Sequence, residues 1–259
     1  MRWVCLFAAA AAPLCAQLAP PNDAGITMGH IHLVVADPAA EEKVWVDAFG
    51  AQASKAGFLD LLKLPGIFII VTKGMPNGGS NGSSVNHIGI AVKDYAATKA
   101  KLAADGVKMQ ELTPNQQMFA TFPEDVRVEI MEVKDLATPV AFHHVHESVV
   151  DGAALQAWYD KTFGGAPGTR RNLPASMFPG GEIDFLRAQT PQAPTKGRSL
   201  DHIGFEVKNL EAFTKKLQVD GITMDMPFRD VTEQVGLKIA FIIDPAGTRI
   251  ELTEGLAAK

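Results

Sequence analysis

A segment that begins with histidine recurs four times along the chain at almost constant spacing. Its copies begin at His30, His87, His144 and His202, which lie 57, 57 and 58 residues apart. Each of these histidines is followed seven residues later by Asp or Asn, and 19 or 20 residues later by a glycine. A repeat of fixed period indicates one supersecondary unit used several times. The chain of 259 residues therefore predicts four copies of one small module.

Each module is predicted to fold as a βαβββ unit. The residues after each histidine are rich in β-branched side chains, which favours a strand. The Asp or Asn that follows can cap a helix, because its side chain accepts hydrogen bonds from the first free N–H groups. The glycine can end that helix in a left-handed conformation. The segments beyond the glycines, such as 126–133 and 248–253, are again rich in strand-forming residues.

The modules alternate in type along the chain. The predicted helix ends with Phe-Gly in modules one and three, but with Asp-Gly in modules two and four. The unit of duplication is therefore a pair of modules. We expect two similar domains, the first at 28–136 and the second at 140–256.

The first sixteen residues have the features of a signal peptide. Arg2 supplies a positive charge, 3–12 form a short apolar run rich in alanine, and Ala16 offers a small residue for cleavage. We therefore expect residues 1–16 to be removed and the protein to be exported, to the periplasm or to the outside of the cell. Lipid attachment at Cys15 is the alternative.

Composition argues against several kinds of chemistry and partner. Both cysteines, Cys5 and Cys15, lie in the leader, so the mature chain is expected to have no disulfide, no thiolate nucleophile and no cysteine metal ligand. The net charge is −5 and no stretch is strongly basic, so a nucleic-acid partner is not expected. Beyond the leader, no apolar run reaches the ~18 residues of a membrane span. A monomer is feasible, and a dimer is also compatible with the sequence.

The repeated histidines are placed as metal ligands would be. Side chains alternate between the two faces of a strand. In module two the apolar residues share one face, whereas His87 and Gly89 share the other. One face can therefore pack under the helix while the other lines a cavity. In modules one and three a second histidine, His32 or His146, should point into the same cavity, whereas His143 has the opposite parity and is expected at the surface or in packing.

Carboxylates complete the candidate sites. Glu129 and Glu251 occupy equivalent positions in the predicted last strands of modules two and four. Each half then offers two imidazoles and one carboxylate, a donor set that suits Fe(II), Mn, Zn, Ni or Co. The two sets are His30, His87 and Glu129 in the first half, and His144, His202 and Glu251 in the second. A fourth ligand could come from Asp184 or Glu182. The candidates for moving a proton are Glu251, His146, His32 and Asp184.

The sequence resembles the vicinal oxygen chelate superfamily, which includes glyoxalase I, bleomycin-resistance proteins, methylmalonyl-CoA epimerase and extradiol dioxygenases. The resemblance covers nearly all of 28–256 and is carried most specifically by 86–92, 201–207 and 244–252. It implies an α+β fold in which paired βαβββ modules form half-open barrels of mixed sheet around a metal, with helices on the outer face.

The resemblance also implies roles for particular residues. It places His144, His202 and Glu251 on ligand positions, with Asp184 near a fourth, and His30, His87 and Glu129 on the same positions in the first half. The sequence departs from the family at 123–125, where Pro-Glu-Asp replaces the usual Asp-Pro-x-Gly. It also has Phe241 where members that cleave aromatic rings generally carry tyrosine.

The function that the resemblance implies is that of an exported, metal-dependent, glyoxalase-like lyase or isomerase. Such an enzyme would bind two neighbouring oxygens of a small oxygen-rich substrate on a divalent metal. One alternative is an extradiol-type dioxygenase that uses Fe(II), against which Phe241 counts. Another is a non-catalytic small-molecule binding protein of the bleomycin-resistance type. One half could also have lost its function.

Overall fold

The computed structural model describes residues 18–259. The expected signal peptide, with Cys5 and Cys15, lies outside the described residues. Over the described part, the order β-α-β-β-β occurs four times, with a short helix added in module four. The predicted module is therefore confirmed.

The helices and strands have the following bounds. Module one contains β1 (Ile26–Val35), α1 (Pro38–Phe49), β2 (Gln52–Ala56), β3 (Leu59–Leu64) and β4 (Ile67–Lys73). Module two contains β5 (Val85–Val92), α2 (Tyr95–Ala104), β6 (Lys108–Thr113), β7 (Gln117–Phe122) and β8 (Val126–Glu132). Module three contains β9 (Val140–Val149), α3 (Gly152–Phe163), β10 (Ala166–Arg170), β11 (Leu173–Phe178) and β12 (Gly181–Arg187). Module four contains β13 (Leu200–Val207), α4 (Leu210–Val219), β14 (Met224–Val231), α5 (Thr232–Val235), β15 (Leu237–Ile243) and β16 (Arg249–Glu254).

The helix caps are those that the sequence predicts. Asp37 accepts hydrogen bonds from the backbone N–H groups of Ala39 and Ala40, and α1 ends at Gly50 with a left-handed φ of 70°. Side chains of Asp or Asn cap α2, α3 and α4 in the same way. Within residues 18–259, no helix combines the length and the apolar character that a bilayer crossing requires.

The strands form two eight-stranded mixed sheets. One has the order β14-β15-β16-β13-β1-β4-β3-β2 and the other β10-β11-β12-β9-β5-β8-β7-β6. The first sheet therefore joins modules one and four, and the second joins modules two and three. Each sheet curves into a half-open barrel, and we call them the one–four barrel and the two–three barrel. At the centre of each, the first strands of two modules pair antiparallel, β1 with β13 and β5 with β9.

Strand pairing thus crosses the boundary between the two predicted domains, whereas Trp and Phe packing links the two modules within each domain. Trp45 of module one packs edge-on against Phe122 of module two, with ring centroids 5.1 Å apart. Phe163 of module three stacks on Phe205 of module four at 4.6 Å. Burying each such ring contributes about 1.5–3 kcal/mol. Modules adjacent in sequence are therefore held together by their aromatic core, while the barrels are held together by hydrogen bonds between strands.

Candidate metal centres

The predicted ligands converge in two groups, one in each barrel. His30, His32, His202 and Glu251 form the group in the one–four barrel. His87, His144, His146 and Glu129 form the group in the two–three barrel. In each group the potential ligand atoms of the side chains lie within 4.8 Å of one another.

The structure corrects the sets that the sequence predicted. His30 does not meet His87 and Glu129, and His144 does not meet His202 and Glu251, because the modules that pair are not neighbours in the chain. Instead Glu129 faces His144 of module three, and Glu251 faces His30 of module one.

Glycines opposite the histidines make the convergence sterically possible. Across the strand pairs, His30 lies opposite Gly204 and His144 lies opposite Gly89. A Cβ atom at Gly204 would lie 2.1 Å from His30 Cε1, and one at Gly89 would lie 2.0 Å from His144 Cε1. The imidazole rings therefore occupy the space that a larger residue would take. The His-x-Gly pattern of the even modules was the sequence signal for this contact.

In the one–four barrel, Glu251 lies between two imidazoles. Its Oε2 is 3.0 Å from His30 Nε2 and 2.8 Å from His202 Nε2. His32 packs against His202 with ring centroids 4.4 Å apart, and its Nε2 bonds to the hydroxyl of Thr72 at 3.0 Å. The Nδ1 atoms of His30 and His32 are buried without a hydrogen-bond partner.

The two–three barrel repeats this arrangement with one addition. Glu129 Oε2 lies 3.0 Å from His87 Nε2 and 3.1 Å from His144 Nε2. His146 Nδ1 is 2.7 Å from His87 Nε2. The addition is Asp184, whose Oδ2 lies 3.1 Å from the other ring nitrogen of His146.

Asp184 therefore contacts His146 from outside the group and is not itself one of the converging ligands. It lies on β12 directly beside His146 of β9, one strand further from the seam between modules. His32 and His146, which the sequence suggested as proton carriers, are the fourth members of the two groups. His143 forms a further group with His144 and Glu182, but the guanidinium of Arg170 already lies 2.7 Å from His143 Nδ1 and 2.6 Å from Glu182 Oε1.

Polar side chains behind the histidines orient two of the rings. His87 Nδ1 lies 2.8 Å from Asn86 Oδ1, and His202 Nδ1 lies 2.6 Å from Asp201 Oδ1. Arginines support both oxygens, since Arg127 donates to Asn86 and Arg249 donates to Asp201. Such outer partners fix the ring orientation and the tautomer of a histidine ligand. These roles of Asn86 and Asp201 were not predicted, although both residues directly precede their histidines in the sequence.

Burial and hydrogen bonding set the charges of the two–three group. Burial lowers the pKa of His87 to about 4 and lowers the pKa of His144 well below its usual value. Both rings are therefore neutral near pH 7. Burial alone would raise the pKa of Glu129, but the hydrogen bond from His144 holds it well below its usual range, so that Glu129 is ionised.

The one–four group differs at His202. Burial alone would lower the pKa of His202, but hydrogen bonds to Asp201 and Glu251 outweigh burial and raise it. The pKa of Glu251 is lowered, because hydrogen bonds from His202 and His30 outweigh the effect of burial. An acidic partner behind His202, where His87 has a neutral amide, is the source of this difference.

Comparison with known proteins supports the fold but reaches no further. No family model matches the sequence, and no curated protein matches it. Among solved structures, glyoxalase I from Zea mays has a TM-score of 0.71 at 15% identity, over 90% of this chain and 94% of that chain. A candidate dioxygenase from Bacillus subtilis has a TM-score of 0.67 at 14% identity, over 93% of this chain and 86% of that chain.

The chain therefore shares the tandem fold of these two proteins over nearly its whole length, and this is the fold that the resemblance in its sequence implied. The half-open mixed barrels with helices outside are confirmed by the same likeness. At identities of 14% and 15%, the similarity defines the fold alone.

Proposed function

We propose that the chain is a metal-dependent, glyoxalase-like lyase or isomerase that holds two neighbouring oxygens of a small substrate on a divalent metal. The observation that carries this proposal is the convergence of two imidazoles on one carboxylate in each barrel, with a third imidazole close enough to move a proton, all within 4.8 Å. Such a donor set suits Fe(II), Mn, Zn, Ni or Co. An ion that accepts five or six ligands would keep positions free for substrate oxygens.

In the two–three group, two hydrogen-bond acceptors face each other, and a cation between them would stabilise this arrangement. Asn86 Oδ1 accepts a hydrogen bond from Arg127, so it is an oxygen and requires the proton of His87 on Nδ1. His87 Nε2 then carries a lone pair, and this lone pair faces the ionised Glu129 Oε2 at 3.0 Å. Two acceptors facing each other in a buried place repel, whereas a cation between them binds both.

His87, His144 and Glu129 in one barrel, and His30, His202 and Glu251 in the other, would hold the divalent metal, which would supply Lewis-acid chemistry. The residues of the chain would hold the substrate and move the proton. His146 directs Nδ1 into the group and Nε2 towards Asp184. Asp184 is fully buried, and neither of its oxygens has a hydrogen bond of good geometry. We assign His146, with Asp184 behind it, as the general base that takes and returns a proton at Nδ1.

The same position in the one–four barrel is weaker as a base. His32 has only the hydroxyl of Thr72 at its Nε2, and a hydroxyl cannot stabilise an imidazolium as a carboxylate does. Glu251 is held between His30 and His202 and serves there as a ligand. The sequence-based assignment of Glu251 and His32 as catalytic groups thus stays a prediction.

Metal content of the purified protein tests the proposal. We expect up to two divalent ions per chain, with one lost in Glu129→Gln and one in Glu251→Gln. Glu132→Gln is the matched control, since Glu132 lies on the same strand as Glu129 but pairs with Lys134 outside the group. Protein that contains no metal and is unaffected by chelators would overturn the proposal. Iron together with cleavage of a catechol would favour the dioxygenase alternative.

We also propose that the protein is exported. Support comes from the sequence of 1–16, with its single arginine, apolar run and small residue before the cleavage point. Both cysteines fall in this segment, which leaves a mature chain that cannot form disulfides. Mass spectrometry of the protein recovered outside the cytoplasm should show a chain that begins at Gln17. A chain with Met1 still present there would contradict cleavage.

A further inference from the structure

Modules one and three match without a gap, so their cavity walls can be compared residue by residue. Each strand of module three begins and ends 114 positions after its counterpart in module one. The ligands are kept, since His30 corresponds to His144 and His32 corresponds to His146. Several residues around them are not kept, and the changes at 56, 68 and 70 all go from an apolar to a charged side chain.

At these three positions the wall of the one–four barrel is apolar and packs against other parts of the chain. Ala56, Phe68 and Ile70 are buried in one apolar cluster. The same cluster contains Leu18, Leu61, Val235, Leu237 and Leu256. A Cβ atom at Gly57 would lie 2.1 Å from the carbonyl oxygen of Gln234, so the β2–β3 turn touches α5 across this barrel. His32 is the one member of the ligand group on this side that keeps partial exposure.

The wall of the two–three barrel is charged at the same positions. Ala56 is replaced by Arg170, Phe68 by Glu182 and Ile70 by Asp184. Arg170 NH1 lies 2.6 Å from Glu182 Oε1, and Arg170 Nε lies 3.4 Å from Asp184 Oδ2.

Two further positions change in the same direction. Gly29 is replaced by His143, which Arg170 also contacts. Ile239, which packs against the apolar cluster of the one–four barrel, corresponds to Gln117. The side-chain amide of Gln117 donates to Glu129, and its oxygen lies 3.4 Å from Arg171 NH1.

Burying these charges costs free energy, which indicates that the charged residues of the wall bind a ligand. Replacing a buried ion pair by apolar residues of similar size is often neutral or stabilising. Module one carries such apolar residues in the same fold, so stability does not require Arg170, Glu182 and Asp184. Charged groups next to the ligand set instead supply hydrogen bonds that a hydrophilic ligand can use and that an aromatic ring cannot.

We propose that the two–three barrel binds the substrate, and that this substrate is small and hydrophilic, with polar groups beyond the two oxygens that reach the metal. Arg170 is the binding residue for those groups, because among the described residues its NH2 has just the weakly accepting thioether of Met131 as a hydrogen-bond partner. The one–four barrel holds its own group against a wall built from the chain and takes no hydrophilic substrate. This inference rests on the proposed function, since both barrels must hold a metal.

Two bidentate probes of opposite character test the inference on the metal-loaded full chain. Acetohydroxamate is small and polar, and 4-tert-butylcatechol is aromatic and apolar. Binding of each is measured by calorimetry in wild type and in the triple variant R170A/E182F/D184I, which gives module three the residues of module one. The fold tolerates those residues in module one, and metal content and melting temperature show that the variant is intact.

We expect the triple variant to keep its metal and to bind acetohydroxamate at least tenfold more weakly, as the loss of a charge-assisted hydrogen bond implies. Its affinity for the catechol should rise. His87→Ala should abolish hydroxamate binding, and His202→Ala should leave it unchanged. If wild type and the triple variant bind hydroxamate with equal affinity while metal is present, the inference is overturned and the proposed function is not. Absence of metal from the wild-type protein would overturn the proposed function as well.

Discussion

Adding one methyl group at Gly89 should remove the metal from one barrel and leave the other intact. The Cβ atom of Gly89→Ala would lie 2.0 Å from His144 Cε1 and 2.2 Å from its Nδ1. Carbon atoms in contact prefer about 3.5–4.0 Å. The ring of His144 must therefore retreat by roughly 1.5 Å from a Cβ that the strand holds in place.

This displacement is large for a ligand. Metal–ligand distances are fixed to within about 0.2 Å, so His144 would no longer reach an ion held by His87 and Glu129. Disturbing the outer partner of a ligand already costs about 10–100-fold in metal affinity, and displacing the ligand itself should cost more. Overpacking of this kind also destabilises a fold by about 1–3 kcal/mol.

The assay is the number of metal ions per chain after dialysis against a weak chelator. Wild type should hold two ions, and Gly89→Ala and Gly204→Ala should hold one each. Gly204→Ala is the matched variant, because its Cβ would lie 2.1 Å from His30 Cε1 in the other barrel. The double variant should hold none. If Gly89→Ala keeps both ions at wild-type affinity and melts at the wild-type temperature, the proposed contact between glycine and imidazole is refuted.

Two further predictions concern groups behind the ligands and in the core. Asp201→Asn gives His202 the neutral amide that Asn86 gives His87, so metal affinity should fall about 10–100-fold in the one–four barrel alone. Metal titration of the double variant Gly89→Ala/Asp201→Asn measures this fall, because Gly89→Ala leaves the one–four barrel as the single metal site. Burial raises the pKa of Glu41 from 4.5 to about 7. The folded chain then binds more protons than the unfolded chain between these values, and the free energy of unfolding should fall by about 3 kcal/mol as pH rises through this window. In Glu41→Gln, urea titrations should give nearly the same free energy of unfolding at pH 4.5 and at pH 8. If the variant keeps the wild-type difference between the two pH values, Glu41 is not its source.

The sequence sufficed to predict the modules and the ligand types, because both depend on local patterns. A strand, a capping Asp or Asn and a terminal glycine are contiguous in the chain, and the structure has them where the spacing places them. Glu129 and Glu251 were found by their equivalence, and both lie beside histidines.

The partners of the histidines could not be predicted in the same way. All four modules begin with the same strand, so nothing local determines whether β5 pairs with β1 or with β9. That choice depends on contacts between residues far apart in the chain. The nearest clue was the contrast between His-x-His and His-x-Gly, because an imidazole needs a glycine opposite it. Both even modules carry that glycine, however, so the clue alone does not decide which modules pair.

The positions of the ligands explain how the two barrels could keep the same metal-binding group and still diverge. Every member of both groups lies on β1, β5, β9 or β13 at the seams, or on β8 or β16 beside them. The register there is constrained by the contacts of His30 with Gly204 and of His144 with Gly89, so a change at the seam disturbs the metal directly. The three positions that change from apolar to charged lie on β2 and β4 in one barrel and on β10 and β12 in the other, away from the strands that carry the ligands. Under the proposed function, duplication can keep the candidate ligands in both barrels while exchanges at the wall positions change which molecules each barrel can bind.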